Sequence, residues 1–474
     1  MPTSSFDNRR ALRLLAGAII LSVVLGAVRL DSPETLFAYF SITLAGLAST
    51  VLWFRLGAPG VPVFPTVALM HIVYYAIPIL RGNVGEINYA PSEILQYGIT
   101  VSTFLAVGTI AWLIAVRKSQ LSRNFVPEFT STVRLNRIIF LGIGLGILYF
   151  ISIYSGLLDW LGSFFGVVRS AVFTATSIAC FILGYARGRG MLRGQNWALA
   201  IVGLGILIIM AWSTLFLVGG AVYFLTAIFG FAITAKQIPW RTLAAAVAII
   251  TVFHAGKAEM RQKYWPVNSN SNTEMSVAKV PGLMTEWADA GLRGLVSSDG
   301  SVLAIDRASL LNLLLRVQRL APEHVPFLYG ETYALLPSLL IPRFLEPDKL
   351  ASQASMTMLN IRFGFQTVQT AAVTSIGWGL IAEAYANFGY IGVIGIAVIM
   401  GSLGALLTRW SDGAPIISAA TLTSIVATVL MINLEQDFSA LFTSFYQAAI
   451  SVIIFLVLAR LLRQQRKKLS YSAT

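Results

Sequence analysis

The sequence predicts an all-α polytopic membrane protein, with about 12 transmembrane helices and one large extramembrane loop domain of short helices. Three observations predict it. Apolar residues fill 56% of the 474 positions and charged residues only 12%, with a mean hydropathy of +0.75, whereas a soluble domain carries about 25% charged residues. Segments long enough to cross a bilayer recur along the chain and are interrupted once, by a polar stretch from His254 to about Ile376. Basic residues concentrate in alternate loops.

A helix needs about 20 apolar residues to span the hydrocarbon. Spans of that kind fall at roughly 12–28, 36–54, 62–80, 95–116, 138–158, 170–186, 196–214, 218–235, 241–255, 388–408, 415–433 and 443–462, read from hydropathy. The first has no small-residue cleavage site and resembles its neighbours, so it reads as a retained helix rather than a signal peptide. The seventh and eighth are joined by a turn at Val218-Gly219-Gly220. The chain thus divides into an N-terminal membrane bundle (1–255), a loop domain (256–385), and C-terminal membrane helices with a basic tail (386–474).

Lys and Arg are retained on the cytoplasmic side of a membrane. With both termini cytoplasmic, the cytoplasmic segments hold 20 of the 34 basic residues and the opposite short loops only Arg29, Arg81 and Arg169. The remaining 11 lie in the long stretch, which as a translocated domain is largely exempt. The net charge of +13 is therefore a topology signal, not a nucleic-acid-binding one.

Away from their ends the spans contain no Asp, Glu, Lys or Arg, and His71 alone is ionisable near a helix centre. Ion-coupled transporters place charges at mid-membrane, and a lone histidine there is more often a packing hydrogen-bonder. Cys180 falls inside a span and reads as a structural thiol. No Walker A pattern, HExxH or paired Cys/His set occurs. No cytoplasmic loop has room for a nucleotide-sugar domain, so a substrate used on the outer face must arrive without a nucleotide, as on a lipid carrier.

The long stretch holds the polar groups that can act together. Lys257 and Arg261 are four apart on a continuation of the ninth span, serving either as interfacial anchors beside Tyr264 and Trp265 or as lipid-phosphate contacts. Residues 306–320 read as an amphipathic helix with Asp306 as N-cap. Ser309, Asn312, Arg316 and Arg319 form its polar face. Such a face is either a solvated edge on the membrane or a guanidinium clamp for pyrophosphate. Prolines at 322, 326, 337, 342 and 347 break the next segment into turns carrying His324, Glu331, Arg343, Asp348 and Lys349. Glu383 and Asn387 then share a face where the chain enters the tenth span, and a carboxylate there needs a reason.

These residues carry a resemblance. The layout of many spans with one large late loop is similar to that of Wzy-type polymerases of O-antigen and exopolysaccharide repeat units. Arg319 followed by Gly330 matches their R-x10-G loop pattern. Gly330-x-x-Tyr333, Ile341-Pro342-Arg343 and Asp348-Lys349 resemble the G-x-x-Y … I-P-R … D-K-P run of the exopolysaccharide branch. Glu383-x-Tyr385-x-Asn387-Phe388-Gly389 resembles its E-x-Y-x-N-F-G signature. The chain departs at Glu346, where an aromatic is common, and at Leu350, where proline is common.

The resemblance implies a GT-C-like fold in the inner membrane, with the long stretch in the periplasm. It implies a metal-independent glycosyltransferase without a cofactor. The donor is a growing glycan on undecaprenyl pyrophosphate and the acceptor a second lipid-linked repeat unit, with membrane lipids and a chain-length regulator protein as further partners. Stabilising the departing pyrophosphate would fall to Arg343, Arg261, Arg316, Arg319, Lys257 and Lys349. Activating the acceptor hydroxyl would fall to Glu383, His324 or Glu331. Gly330, Tyr333, Asn387 and Gly389 would shape the site. An O-antigen ligase acting on lipid A, or a flippase, is the alternative.

Overall fold

The computed structural model describes residues 8–82, 89–117, 132–235, 237, 239–264, 276–296, 310–341, 345–346, 350–351, 353–371, 375–416 and 418–453. Among these residues there is helix and no strand. Nine helices among the described residues are long and apolar enough to cross a membrane. At the other expected spans lie shorter apolar helices, Ile20–Arg29 at 12–28, Ala419–Met431 at 415–433, and Phe438–Ile453 at 443–462, the last running to the end of the described residues.

The chain forms two compact units, interleaved in sequence: Met1–Phe125 with Ile305–Phe445, and Val126–Ala304 with Tyr446–Thr474. This division reports packing, whereas the sequence division at 256 and 385 concerns the side of the membrane.

The first unit begins with α1 (Asn8–Arg29), α2 (Pro33–Arg55), α3 (Val63–Leu80) and α4 (Pro91–Val116). Their starts are written locally: Ser32 accepts from Thr35 N at 3.1 Å ahead of Pro33, and Glu93 reaches back to Ala90 N at 2.7 Å behind Pro91. α3 contains a π turn at Ile72–Ala76, and Pro78, lacking an N–H, cannot bond the Tyr74 carbonyl. Two carbonyls there find partners elsewhere. Tyr97 Oη donates to Tyr75 O at 2.8 Å and Leu310 N to Tyr74 O at 3.2 Å. His71 is buried, bonded to Val67 O at 2.8 Å and stacked with Phe104 and Tyr75; it packs helices.

The second unit holds α5 (Thr132–Tyr154), α6 (Phe165–Gly188), α7 (Gly194–Trp212), α8 (Leu217–Ala235), α9 (Trp240–Tyr264) and α10 (Val280–Val296). The turn between α7 and α8 falls at residues 213–216, not at Val218-Gly219-Gly220. Those glycines start α8, and a Cβ on Gly220 would press on the Trp212 indole, whose Nε1 donates to Leu217 O at 2.8 Å.

The first unit resumes with α11 (Leu311–Leu320), α12 (Ala354–Arg362), α13 (Leu380–Ser411), α14 (Ala419–Met431) and the start of α15 (Phe438–Ile453). Between α11 and α12 the described residues of the proline-rich segment include two short helical turns, Glu331–Ala334 and Leu336–Leu340. α13 packs along α4 and α3, and α11 lies against both α4 and α13. The α13–α4 contact is a backbone approach: a Cβ on Gly401 would collide with the Gly108 carbonyl.

Candidate functional site

α13 is kinked. Phe388 (φ −142°) and Gly389 (φ 58°, ψ −141°) leave helical geometry, a conformation that favours glycine at 389. At the kink the Ala386 and Asn387 carbonyls accept from Leu328 N at 3.1 Å and Tyr329 N at 3.0 Å. The Asn387 side chain adds three bonds: Oδ1 accepts from Gly330 N at 3.0 Å, and Nδ2 donates to Thr332 Oγ1 at 2.8 Å and Glu383 O at 2.9 Å. Tyr333 stacks on Phe388. The two motifs read separately in the sequence are therefore one buried knot, joining Gly330, Tyr333, Glu383, Asn387 and Gly389.

Glu383 is the anchor of this knot. It is fully buried, its Oε2 accepts from Phe438 N at 2.6 Å, and its Oε1 has no hydrogen-bond partner among the described residues. Phe438 opens α15, and Asp437 caps the same helix end by accepting from Ala440 N at 2.8 Å while Ser355 Oγ donates to its other oxygen. Two carboxyl groups thus meet the positive end of one helix. Burial raises the Asp437 carboxyl above its ordinary range, and burial, then Glu383 and Asp437, push the Tyr333 phenol up. The reason a carboxylate enters α13 is attachment to α15. In this conformation Glu383 has no exposed surface.

The exposed chemistry lies around this knot. α11 buries Leu311, Leu313, Leu314, Leu315, Val317 and Gln318 and turns Arg316 and Arg319 outward. Its position is set at one end by Leu310 on Tyr74 and at the other by Gln318 Nε2, which donates to Thr100 Oγ1 at 2.7 Å. Arg319 grips both oxygens of Glu93, at 2.6 and 2.7 Å, and lies 4.0 Å over the Tyr89 ring. Arg316 donates to Gly364 O at 3.0 Å and covers Phe365. Tyr89 senses both guanidinium groups, which oppose the upward push that burial gives its phenol. Two residues before Gly364, Arg362 pairs with Glu331 at 3.0 Å, both partly exposed. His324 is exposed, and its backbone N caps α11 on Leu320 O at 2.8 Å.

The remaining expected residues fall elsewhere. Arg261 and Lys257 belong to the second unit, on the helical continuation of α9 beyond Gly256. There Arg261 donates to the Leu215 carbonyl at 3.0 and 3.3 Å and lies over Phe216. Arg343 and Lys349, like Asp306 and Ser309, lie outside the described residues. Sequence reasoning passed over Asp437, Arg362 and Glu93. Asp437 and Glu93 carried a signal, since each is an acid at the opening of an apolar helix; Arg362 carried none, because only folding brings it to Glu331. Among the described residues no group of three or more His, Cys, Asp or Glu is placed to hold a metal ion.

Chemically, the arrangement offers half-exposed guanidinium groups for an anion, beside an exposed carboxylate and imidazole, on a support fixed by buried hydrogen bonds. Residues 309–467, about a third of the chain, match the model of the family described as O-antigen polysaccharide polymerase Wzy. The resemblance read from the motifs is borne out over that segment, which contains both the knot and the arginine rim. No curated protein and no solved structure matches the chain.

Proposed function

We infer, from a multi-pass membrane protein whose residues 309–467 match the O-antigen polysaccharide polymerase Wzy family, that this chain polymerises oligosaccharide repeat units carried on undecaprenyl pyrophosphate. In this reading the shorter apolar helices complete a bundle of about 12 spans, GT-C-like, in the inner membrane with both termini cytoplasmic. Residues 256–385 face the periplasm, where a lipid-linked glycan would be presented.

One observation carries the reading: within the matched segment, Arg316 and Arg319 stand partly exposed on a helix fixed by Leu310 and Gln318, and Arg362 stands partly exposed in its pair with Glu331. A departing pyrophosphate needs fixed positive charge, and guanidinium forks supply it with two-point geometry. Arg316 is the leading residue for that role, with Arg343 and Lys349 as further cations. His324 and Glu331 are the accessible groups for activating the acceptor hydroxyl. Glu383 is a positioning residue rather than the base.

The test is reconstitution. Purified chain given lipid-linked repeat units in detergent or liposomes should convert them to a ladder of longer lipid-linked glycans. Transfer to lipid A instead would identify a ligase. Movement of intact units across the bilayer without extension would identify a flippase. A chain-length regulator protein, if it acts here, should narrow the ladder without being required for it.

A further inference from the structure

The turn that the knot clamps is strained at one residue. Glu331 N donates to Leu328 O at 3.0 Å, closing a four-residue turn whose central residues, Tyr329 (φ 47°) and Gly330 (φ 96°), both have positive φ. That is the type I′ pattern, filled ordinarily by Gly, Asn or Asp at both positions. Gly330 satisfies it, and a Cβ there would press on Phe388. Tyrosine at 329 does not, since a bulky residue at positive φ is a genuine outlier.

Packing does not explain the choice. Leu215, in the second unit, also has positive φ (60°), but its side chain is 2% exposed and fills a core with Trp212, Met260 and Trp287. The Tyr329 side chain is 76% exposed and meets Phe327 edge-on. Its backbone is nevertheless held firmly, by its N–H on Asn387 O and by the bonds of its neighbours Leu328 and Gly330 to α13. A strained, immobilised backbone that holds a large ring out into the open indicates a use for the ring. Two residues on, Glu331 and Arg362 offer a carboxylate and a guanidinium, both half-exposed.

We propose that the Tyr329 ring, flanked by Glu331 and Arg362, is a stacking subsite for a sugar ring of the repeat unit. The electron-rich aromatic face suits the C–H face of a pyranose, and the carboxylate and guanidinium suit its hydroxyls. This rests on the polymerase reading and specifies where the glycan, as distinct from the pyrophosphate, is held. A tyrosine can also mark a membrane interface, so the probe must contain no lipid.

The test uses full-length protein in detergent and repeat-unit oligosaccharide released by mild acid from the lipid carrier of cells deleted for this gene. Tyr329→Gly removes the ring at a position whose backbone suits glycine, so its melting temperature should stay level or rise. Its affinity for the released oligosaccharide should fall about tenfold, the equivalent of 1.4 kcal/mol, and Tyr329→Trp should stay near wild type. Equal affinity in wild type and Tyr329→Gly overturns the subsite. A wild-type chain that polymerises normally while Tyr329→Gly binds normally leaves the polymerase reading standing and sinks only the subsite. A wild type that neither binds the oligosaccharide nor extends lipid-linked units overturns both.

Discussion

The buried knot at the α13 kink and the exposed rim on α11 and α12 use similar bonds for opposite ends. In the knot, Asn387 spends its whole side chain on Gly330, Thr332 and Glu383, and Glu383 holds the first amide of α15, with both side chains fully buried. On the rim, Arg316, Arg319 and Arg362 make their contacts with one side open. Glu383 and Glu331 make the contrast within one residue type: the first is wholly buried and the second about half-exposed. The motif-bearing residues hold the turn, and the polar groups with open surface are those the knot leaves uncovered.

The largest effect should come from breaking the knot. Asn387→Ala removes three hydrogen bonds and leaves the Gly330 amide unpaired, so a loss of about 3 kcal/mol is expected. Thermal unfolding in detergent should show a lower midpoint, with polymer formation lost in step. An unchanged midpoint with lost activity would move Asn387 from support to chemistry.

Arg316→Ala should do the reverse, leaving the midpoint within error while polymer formation nearly vanishes. Losing a charge-assisted contact to a bound anion costs about 2–5 kcal/mol. Arg316→Lys should recover only part of the rate, because an ammonium group lacks the planar fork. Normal polymer from Arg316→Ala would remove this residue from the rim's function.

Arg319 sharpens the comparison because it belongs partly to each region: it faces outward, yet Glu93 takes both arms of its fork. As a latch, it is worth about 0.2–1 kcal/mol, the range for an exposed pair. A double-mutant cycle of Arg319→Ala with Glu93→Gln on stability should return a coupling inside that range. If Arg319→Ala abolishes activity while Glu93→Gln does not, Arg319 serves the anion and the latch is incidental.

Much of this was legible beforehand, for identifiable reasons. The helix carrying Arg316 and Arg319 follows from periodicity, since its leucines fall on one face and its arginines on the other. Gly330, Tyr333, Glu383, Asn387 and Gly389 followed from motif spacing, although not that they form one structure, because the loop and α13 are separated by about 55 residues of chain and hydrogen-bond partners at that range have no local code. The π turn that receives Leu310 depends on a carbonyl left open by Pro78, a consequence visible only once a partner is seen. The turn between α7 and α8 lies before Val218 because Gly219 and Gly220, with a turn's composition, sit inside α8, where Gly220 serves close packing on Trp212. The segment at 415–433 has the composition of a span, whereas its helix, Ala419–Met431, is shorter than the roughly 20 residues a bilayer requires.

The central claim is that Glu383 supports the site without reacting, and Glu383→Gln tests it most directly. Glutamine keeps the shape and can still accept from Phe438 N–H, but cannot take a proton from an acceptor hydroxyl. Measured on purified protein that melts as a folded species and binds the lipid-linked donor, its polymerisation rate should remain within several-fold of wild type. Glu383→Ala should instead lose about 2–4 kcal/mol of stability through the cavity and the unpaired amide. A folded, donor-binding Glu383→Gln whose rate falls by about two to four orders of magnitude, the loss expected of a missing general base, would contradict the account and return Glu383 to the reaction itself.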